Sequence, residues 1–159
     1  MTRLLITRGL PASGKTTFAR ELQPDVVRVN RDDLRRMLHG RRLYTDRAEA
    51  QVTLVQRGAV EALLAKGTSV VVDDTNLGAE TVRRWAALAA RHRASFEVHD
   101  LTGVPLEECI RRDAVRDPVD HVGEAGIRRL YDRYLAGRPL PLGHPHAGTR
   151  NAGTRDAER

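Results

Sequence analysis

Residues Gly9–Thr16 read Gly-Leu-Pro-Ala-Ser-Gly-Lys-Thr and fit G-x-x-x-x-G-K-[ST] in full. Each fixed residue has a physical reason. Glycine lets the backbone curl so that successive N–H groups point inward at phosphate oxygens. Lys15 brings a positive charge to the transferring phosphates, and the Thr16 hydroxyl can ligate Mg²⁺. The apolar run within Arg3–Thr7 predicts a strand before the loop. A helix from Lys15 to about Leu22 then aims its positive end at the same point. With lysine so rare here, the motif would arise by chance in roughly one such sequence in a thousand. The reading is a nucleotide phosphate cradle of Gly9, Pro11, Ala12, Ser13, Gly14, Lys15, Thr16 and Thr17, taking ATP or GTP, with Mg²⁺ on Thr16.

Outward from the cradle, strand and helix patterns alternate. Gln23-Pro24 closes the first helix, and Asp25–Asn30, with three valines, reads as a second strand. A helix follows from Arg31 to His39-Gly40, then a polar loop over Arg41–Asp46. Arg47–Lys66 predicts the longest helix, with Ala48, Val52, Val55, Ala59 and Leu63 as its apolar stripe. Ser69–Asp73 reads as a strand buried on both faces. Ala79–His92 is helical, Ser95–Leu101 a strand, Pro105–Asp113 the start of a helix and Gly123–Leu135 the last helix. The fold class is α/β: right-handed βαβ crossovers, and a parallel sheet of four to five strands flanked by helices. Residues 1–136 form the predicted domain. From Gly137 the chain is rich in Gly, Pro, His and Arg without period, predicting a mobile tail. Its His144 and His146 lack the nearby Cys, Asp or Glu that would complete a metal site.

Composition narrows the class. The 159 residues are 40% apolar and 30% charged, suiting one globular domain. No stretch approaches the ~20 apolar residues of a membrane span, and the apolar start is too short for a signal peptide. No membrane partner and a cytoplasmic location are expected. The single cysteine, Cys109, excludes an internal disulfide and any CxxC site. A net charge of +6 suits a polyanionic partner without demanding one. Aromatics at 4% argue against extensive base stacking. A homo-oligomer is left open.

Three further clusters bear on chemistry. Asp73 and Asp74 close the valine strand where a Walker-B-type carboxylate is expected, although Asp-Thr-Asn is also good turn chemistry. Asn30-Arg31-Asp32-Asp33-Leu34-Arg35 follows strand two. Asn30 would cap a helix, with the two aspartates stabilising its first turn. The carboxyl end of that strand also faces bound phosphates, where Asp32 could accept a proton and Arg35 hold the acceptor. Spacing alone does not choose between Asp32–Arg35 and Asp33–Arg36. Arg112 and Arg116, four apart, would share one face of a continuing helix and repel without an anion between them. Pairing with Asp113 and Asp117 on a solvated face accounts for them equally well.

Together, GLPASGKTTFAR, VNRDDLRR, VVVDDTN and VPLEECIRRDAVR resemble the 5′-kinase domain of the phage-type polynucleotide kinases, over about residues 1–135. The resemblance implies a P-loop kinase fold with a short lid. It also implies transfer of the γ-phosphoryl of ATP or GTP to the 5′-OH end of DNA or RNA. Lys15 and Thr16 match the triphosphate and Mg²⁺ residues. Asp32 matches the general base and Arg35 the arginine gripping the acceptor phosphate. Asp74, with Thr75 and Asn76, matches the D-T-N motif on the substrate side. Arg116 matches the lid arginine that neutralises the transferring phosphoryl, and Arg112 lies beside it. Arg31, Arg35, Arg36, Arg41 and Arg42 could extend the acceptor path, or line a solvated helix face. The sequence departs from the pattern in having Leu34 where an aromatic often sits. It shows no D-x-D-x-T phosphatase signature, so phosphate addition without 3′ removal is expected. Two rivals remain: a small-molecule kinase of similar architecture, and a nucleotide-dependent switch.

Overall fold

Four strands pair in the order β2-β3-β1-β4, all parallel, in a computed structural model that describes residues 1–144. They are β1 (Arg3–Arg8), β2 (Val27–Val29), β3 (Val70–Val72) and β4 (Ser95–Asp100). The helices are α1 (Lys15–Glu21), α2 (Arg31–His39), α3 (Asp46–Ala65), α4 (Ala79–Arg91), α5 (Leu106–Ala114) and α6 (Glu124–Tyr134). The chain steps from β1 past β3 to β2, returns to β3, and then crosses β1 to reach β4. The reversal opens a crevice at the carboxyl ends of β1 and β3, where the cradle sits.

The pleat divides the core. Leu4, Ile6, Val70 and Val72 face α3 and α4, with Val60, Leu64, Val82, Trp85 and Leu88. Leu5 and Val71 point the other way, toward Ala19 and Phe18 of α1. All three residues of β3 are buried, which explains its unbroken valine run. A third cluster joins α5 and α6 through Cys109 and Ile127 and seats them on Leu10 and Leu77. The lid helices therefore rest on the cradle loop itself.

The structure differs from the sequence reading in four places. The buried stripe of α3 is Ala48, Val52, Gln56, Val60 and Leu64. Val55, Ala59 and Leu63 lie beside that stripe. A buried polar residue needs partners, and Gln56 donates to Asp74 Oδ2 and accepts from Arg31. Second, α5 stops at Ala114, so Arg116 lies past its end, not on a continuing helix with Arg112. Third, β2 keeps only Val27–Val29, because Asn30 turns to cap α2: its Oδ1 accepts from Asp33 N at 2.9 Å. Fourth, part of the stretch from Gly137 is held in place. Leu142 N donates to Thr102 Oγ1, Gly143 N to Asp100 Oδ2, and Arg8 donates to the Gly143 carbonyl, each at 2.7 Å. Residues 145–159, which carry the rest of the expected tail and His146, lie outside the described residues. Among the described residues, no helix is long and apolar enough to cross a membrane, and no cluster of three His, Cys, Asp or Glu could hold a metal.

Candidate active site

The cradle is built by backbone strain of a specific kind. Gly14, at φ 104°, caps α1, and Ala12 is also left-handed at φ 61°. These two turns curl the loop so that its amides face one centre. Gly9 is required for space: a Cβ there would stand 2.6 Å from Ser13 Oγ and 3.1 Å from Leu101 Cβ. Lys15 folds inward, its Nζ donating to the Leu10 carbonyl. Burial lowers its pKa to about 8, offset in part by Asp73, Cys109 and Asp74.

A cavity of about 750 Å³ opens in front of this loop. Pro11, Ala12, Gly14, Lys15, Thr16 and Thr17 line its donor side, and Arg112 and Arg116 line its lid side. Asp32 and Arg35 line the third wall, with Asp73, Asp74 and Thr75 at the floor. Gly9, Ser13 and Asn76 do not line this cavity. Instead, Asn76 braces the fold: at φ 42° its amide donates to the Thr7 carbonyl at 2.8 Å and its Oδ1 accepts from Trp85 Nε1.

The ambiguity between the two Asp–Arg pairs is resolved by geometry. Asp32 Oδ1 accepts from Arg35 Nη1 at 2.8 Å, and both groups face the cavity. Asp33 is turned away, to Arg28 and Arg36. Arg35 is more constrained than the sequence suggests. Its other nitrogens make a two-pronged contact with Glu49 at 2.7 and 2.8 Å, and the Tyr44 ring lies 4.8 Å from its guanidinium carbon. Glu49 also binds Arg31, and these arginines hold its carboxyl down at about 2. Arg35 therefore sets the position of Asp32, and its guanidinium is already engaged. Arg36 is likewise taken by Asp120 at 2.7 Å, while Arg42 donates to the His121 carbonyl and stands 3.7 Å from Asp32. Arg31, Arg35, Arg36 and Arg42 serve as internal braces, while Arg41 is exposed.

At the floor the two aspartates differ. Asp73, 1% exposed, accepts from Arg28 through Oδ2 at 2.7 Å, and its Oδ1 has no hydrogen-bond partner among the described residues. Asp74 accepts from Arg31 N and from Gln56, yet its burial pushes the carboxyl up to about 7. On the lid, buried Asp113 accepts from Val122 N and Gly123 N and lies 3.4 Å from Arg116, fixing the turn from which Arg116 projects. Sequence reasoning passed over Glu49, Gln56 and Arg28, whose partners lie largely on other elements, so no local spacing marks them; only the acidic first turn of α3 gives a hint of Glu49. Asp113 is the i,i+3 partner of Arg116 that the sequence offers, but it is buried, not on a solvated face.

The chain is 32% identical over 149 residues to a putative bifunctional polynucleotide kinase/RNA ligase of Autographa californica nuclear polyhedrosis virus, covering 84% of this chain and 21% of that protein. Among solved structures it is similar to a chain of the Pnkp1/Rnl/Hen1 RNA repair complex, with 32% identity, TM-score 0.69, and coverage of 84% of this chain and 44% of that one. The Mycobacterium tuberculosis APS kinase CysC, 24% identical with TM-score 0.55 over 72% of this chain and 69% of that one, shares the fold. The chain thus spans less than half the length of the first two relatives, and the fold is that of the P-loop kinases. A family model described as AAA domain matches residues 4–140, and the chain belongs to that family.

Proposed function

We propose that this chain is a polynucleotide 5′-hydroxyl kinase that transfers the γ-phosphoryl of ATP or GTP to the 5′-OH end of DNA or RNA. The observation that carries the reading is the orientation of Asp32: an arginine-positioned carboxylate facing the cradle across one cavity. A nucleotide switch has no need of that group. The similarity to a polynucleotide kinase/RNA ligase supports a nucleic-acid acceptor, and the RNA repair complex favours RNA.

In this reading the triphosphate lies on the loop amides and Lys15. Its negative charge restores full protonation to a lysine that burial has weakened. The 5′-oxygen attacks the γ-phosphorus in line and gives its proton to Asp32. The bond to the β-phosphate oxygen breaks, and the diphosphate leaves. Arg116 and Arg112 balance charge on the equatorial oxygens. The residues present fit Mg²⁺: the Thr16 hydroxyl and the unpartnered Asp73 Oδ1 supply hard oxygen donors beside the loop. When bound, the ion would neutralise phosphate charge.

The test is transfer of labelled γ-phosphate from ATP to a single-stranded oligonucleotide with a free 5′-OH, in Mg²⁺. Transfer is expected to vanish with a 5′-phosphorylated oligonucleotide and to fall by about 10²–10⁴ in Asp32→Ala. A folded, ATP-binding protein that phosphorylates neither DNA nor RNA would overturn the reading and point to a small-molecule acceptor.

A further inference from the structure

A second cavity, of about 520 Å³, lies between α3, α4 and α6, beyond the floor of the first. Arg31, Asp74, Thr75 and Leu130 line both, so the two spaces share a wall. Its wall is apolar and aromatic: Leu77, Leu88 and Leu130, with Trp85 and Tyr134. Trp85 is the only tryptophan of the chain, and these two rings are among its six aromatic residues. Trp85 is 9% exposed, and its indole N–H is anchored on Asn76 Oδ1, which fixes the ring. Thr53, Thr81 and the buried Gln56 add polar groups to its lining.

The rim is basic. Arg57, Arg84 and Arg91 join Arg31 there. Arg84 is offset by Glu80 and Arg91 by Glu61, whereas exposed Arg57 has no ion-pair partner among the described residues. A cavity with an apolar wall that includes two aromatic rings, polar side chains and an uncompensated guanidinium is complementary to a nucleobase joined to a phosphodiester. The volume is sufficient for one nucleotide.

We propose that this second cavity seats the nucleotide that follows the 5′ end of the acceptor strand, its base against the Trp85–Tyr134 wall and its phosphate toward Arg57. The inference rests on the kinase reading above and deepens it. The strand enters past Asp74 and Thr75, so the 5′-hydroxyl stays on the Asp32 side while the next nucleotide is held on the far side. The kinase would then select a strand over a single nucleotide.

Trp85 provides its own reporter. Intrinsic tryptophan fluorescence of the full chain is titrated, without ATP, with three 5′-OH probes: a nucleoside 3′-monophosphate, a trinucleotide, and the same trinucleotide abasic at its second position. Quenching is expected from the intact trinucleotide alone, and Arg57→Glu should raise its Kd roughly tenfold. In parallel, the transfer KM is expected to drop from the mononucleotide to the trinucleotide and to rise again when the second base is removed, with little change in kcat. A trinucleotide that is phosphorylated with the same KM as its abasic form, leaving Trp85 fluorescence unchanged, overturns the subsite and leaves the kinase reading standing. Absence of transfer to every probe removes both.

Discussion

The donor side and the acceptor side of the cavity are built in opposite ways. The cradle is eight consecutive residues whose work is done largely by backbone amides, and its shape is set by two left-handed residues, Ala12 and Gly14. The acceptor side is assembled from side chains on separate elements: Asp32 and Arg35 of α2, Glu49 and Gln56 of α3, and Asp74 past β3. A backbone site survives as long as its few residues do, because its groups cannot rotate away. A side-chain site lasts only while each group is held by another, so its chemistry depends on a network of braces.

That contrast can be broken most strongly at the lid. Arg116→Ala should lower kcat by roughly 10²–10³ with a small change in nucleotide affinity, measured by steady-state transfer and by nucleotide titration. Wild-type kcat in that variant would move charge stabilisation wholly to the cradle.

Asp74 gives the next effect, in stability. Its folded pKa, about 7, is above the ordinary 3.8, so between those values the native state binds more protons than the unfolded state. Wild-type stability is therefore reduced as pH rises through that window. Asp74→Asn removes this titration, and its melting temperature relative to wild type should climb from pH 4 to pH 7 and then level off. A pH-independent difference would show that the carboxyl is not held in a desolvated site.

Glu49 has the reverse sign. Its folded pKa, near 2, lies below the ordinary 4.5, so its contribution is present at neutral pH and lost as pH falls from about 4.5 toward 2. Glu49→Gln should cost about 1–3 kcal/mol at pH 7 in urea unfolding, and progressively less in acid. It should also slow transfer, because Arg35 loses the two-pronged contact that orients it toward Asp32. Unchanged transfer would mean that Asp32 needs no brace.

The smallest effect is expected at Asn30, which joins the two sides. Its side chain caps α2 and donates to the Asp73 carbonyl, so Asn30→Ala should cost about 1 kcal/mol. An unchanged urea midpoint would exclude a role for this cap.

Legibility followed the same division. The cradle, the parallel sheet and the order of elements could be read from the sequence, because each depends on local pattern: a fixed motif, valine runs and apolar spacing. The α3 stripe was misread by one position because Gln56 sits in it. Nothing in the helix itself indicates that an amide there meets Asp74, which is eighteen residues away in the chain. The four-residue spacing of Arg112 and Arg116 puts them on one face only of a continuing helix, and the chain leaves the helix between them at Val115.

By itself, then, the sequence determined that Gly9–Thr16 form a loop of the G-x-x-x-x-G-K-[ST] pattern and that a parallel sheet carries it. Both follow from residues near one another in the chain, and the backbone has few other ways to satisfy them. Only the tertiary structure decided that Asp32, not Asp33, lines the cavity in front of the cradle loop, and that Arg35 is engaged by Glu49. It alone decided that Asn76 is a brace and that Trp85 and Tyr134 wall a second cavity. Those outcomes depend on which side chains meet when α2, α3, α4 and α6 pack around the sheet, and long-range packing of this kind leaves no periodic trace in a single chain.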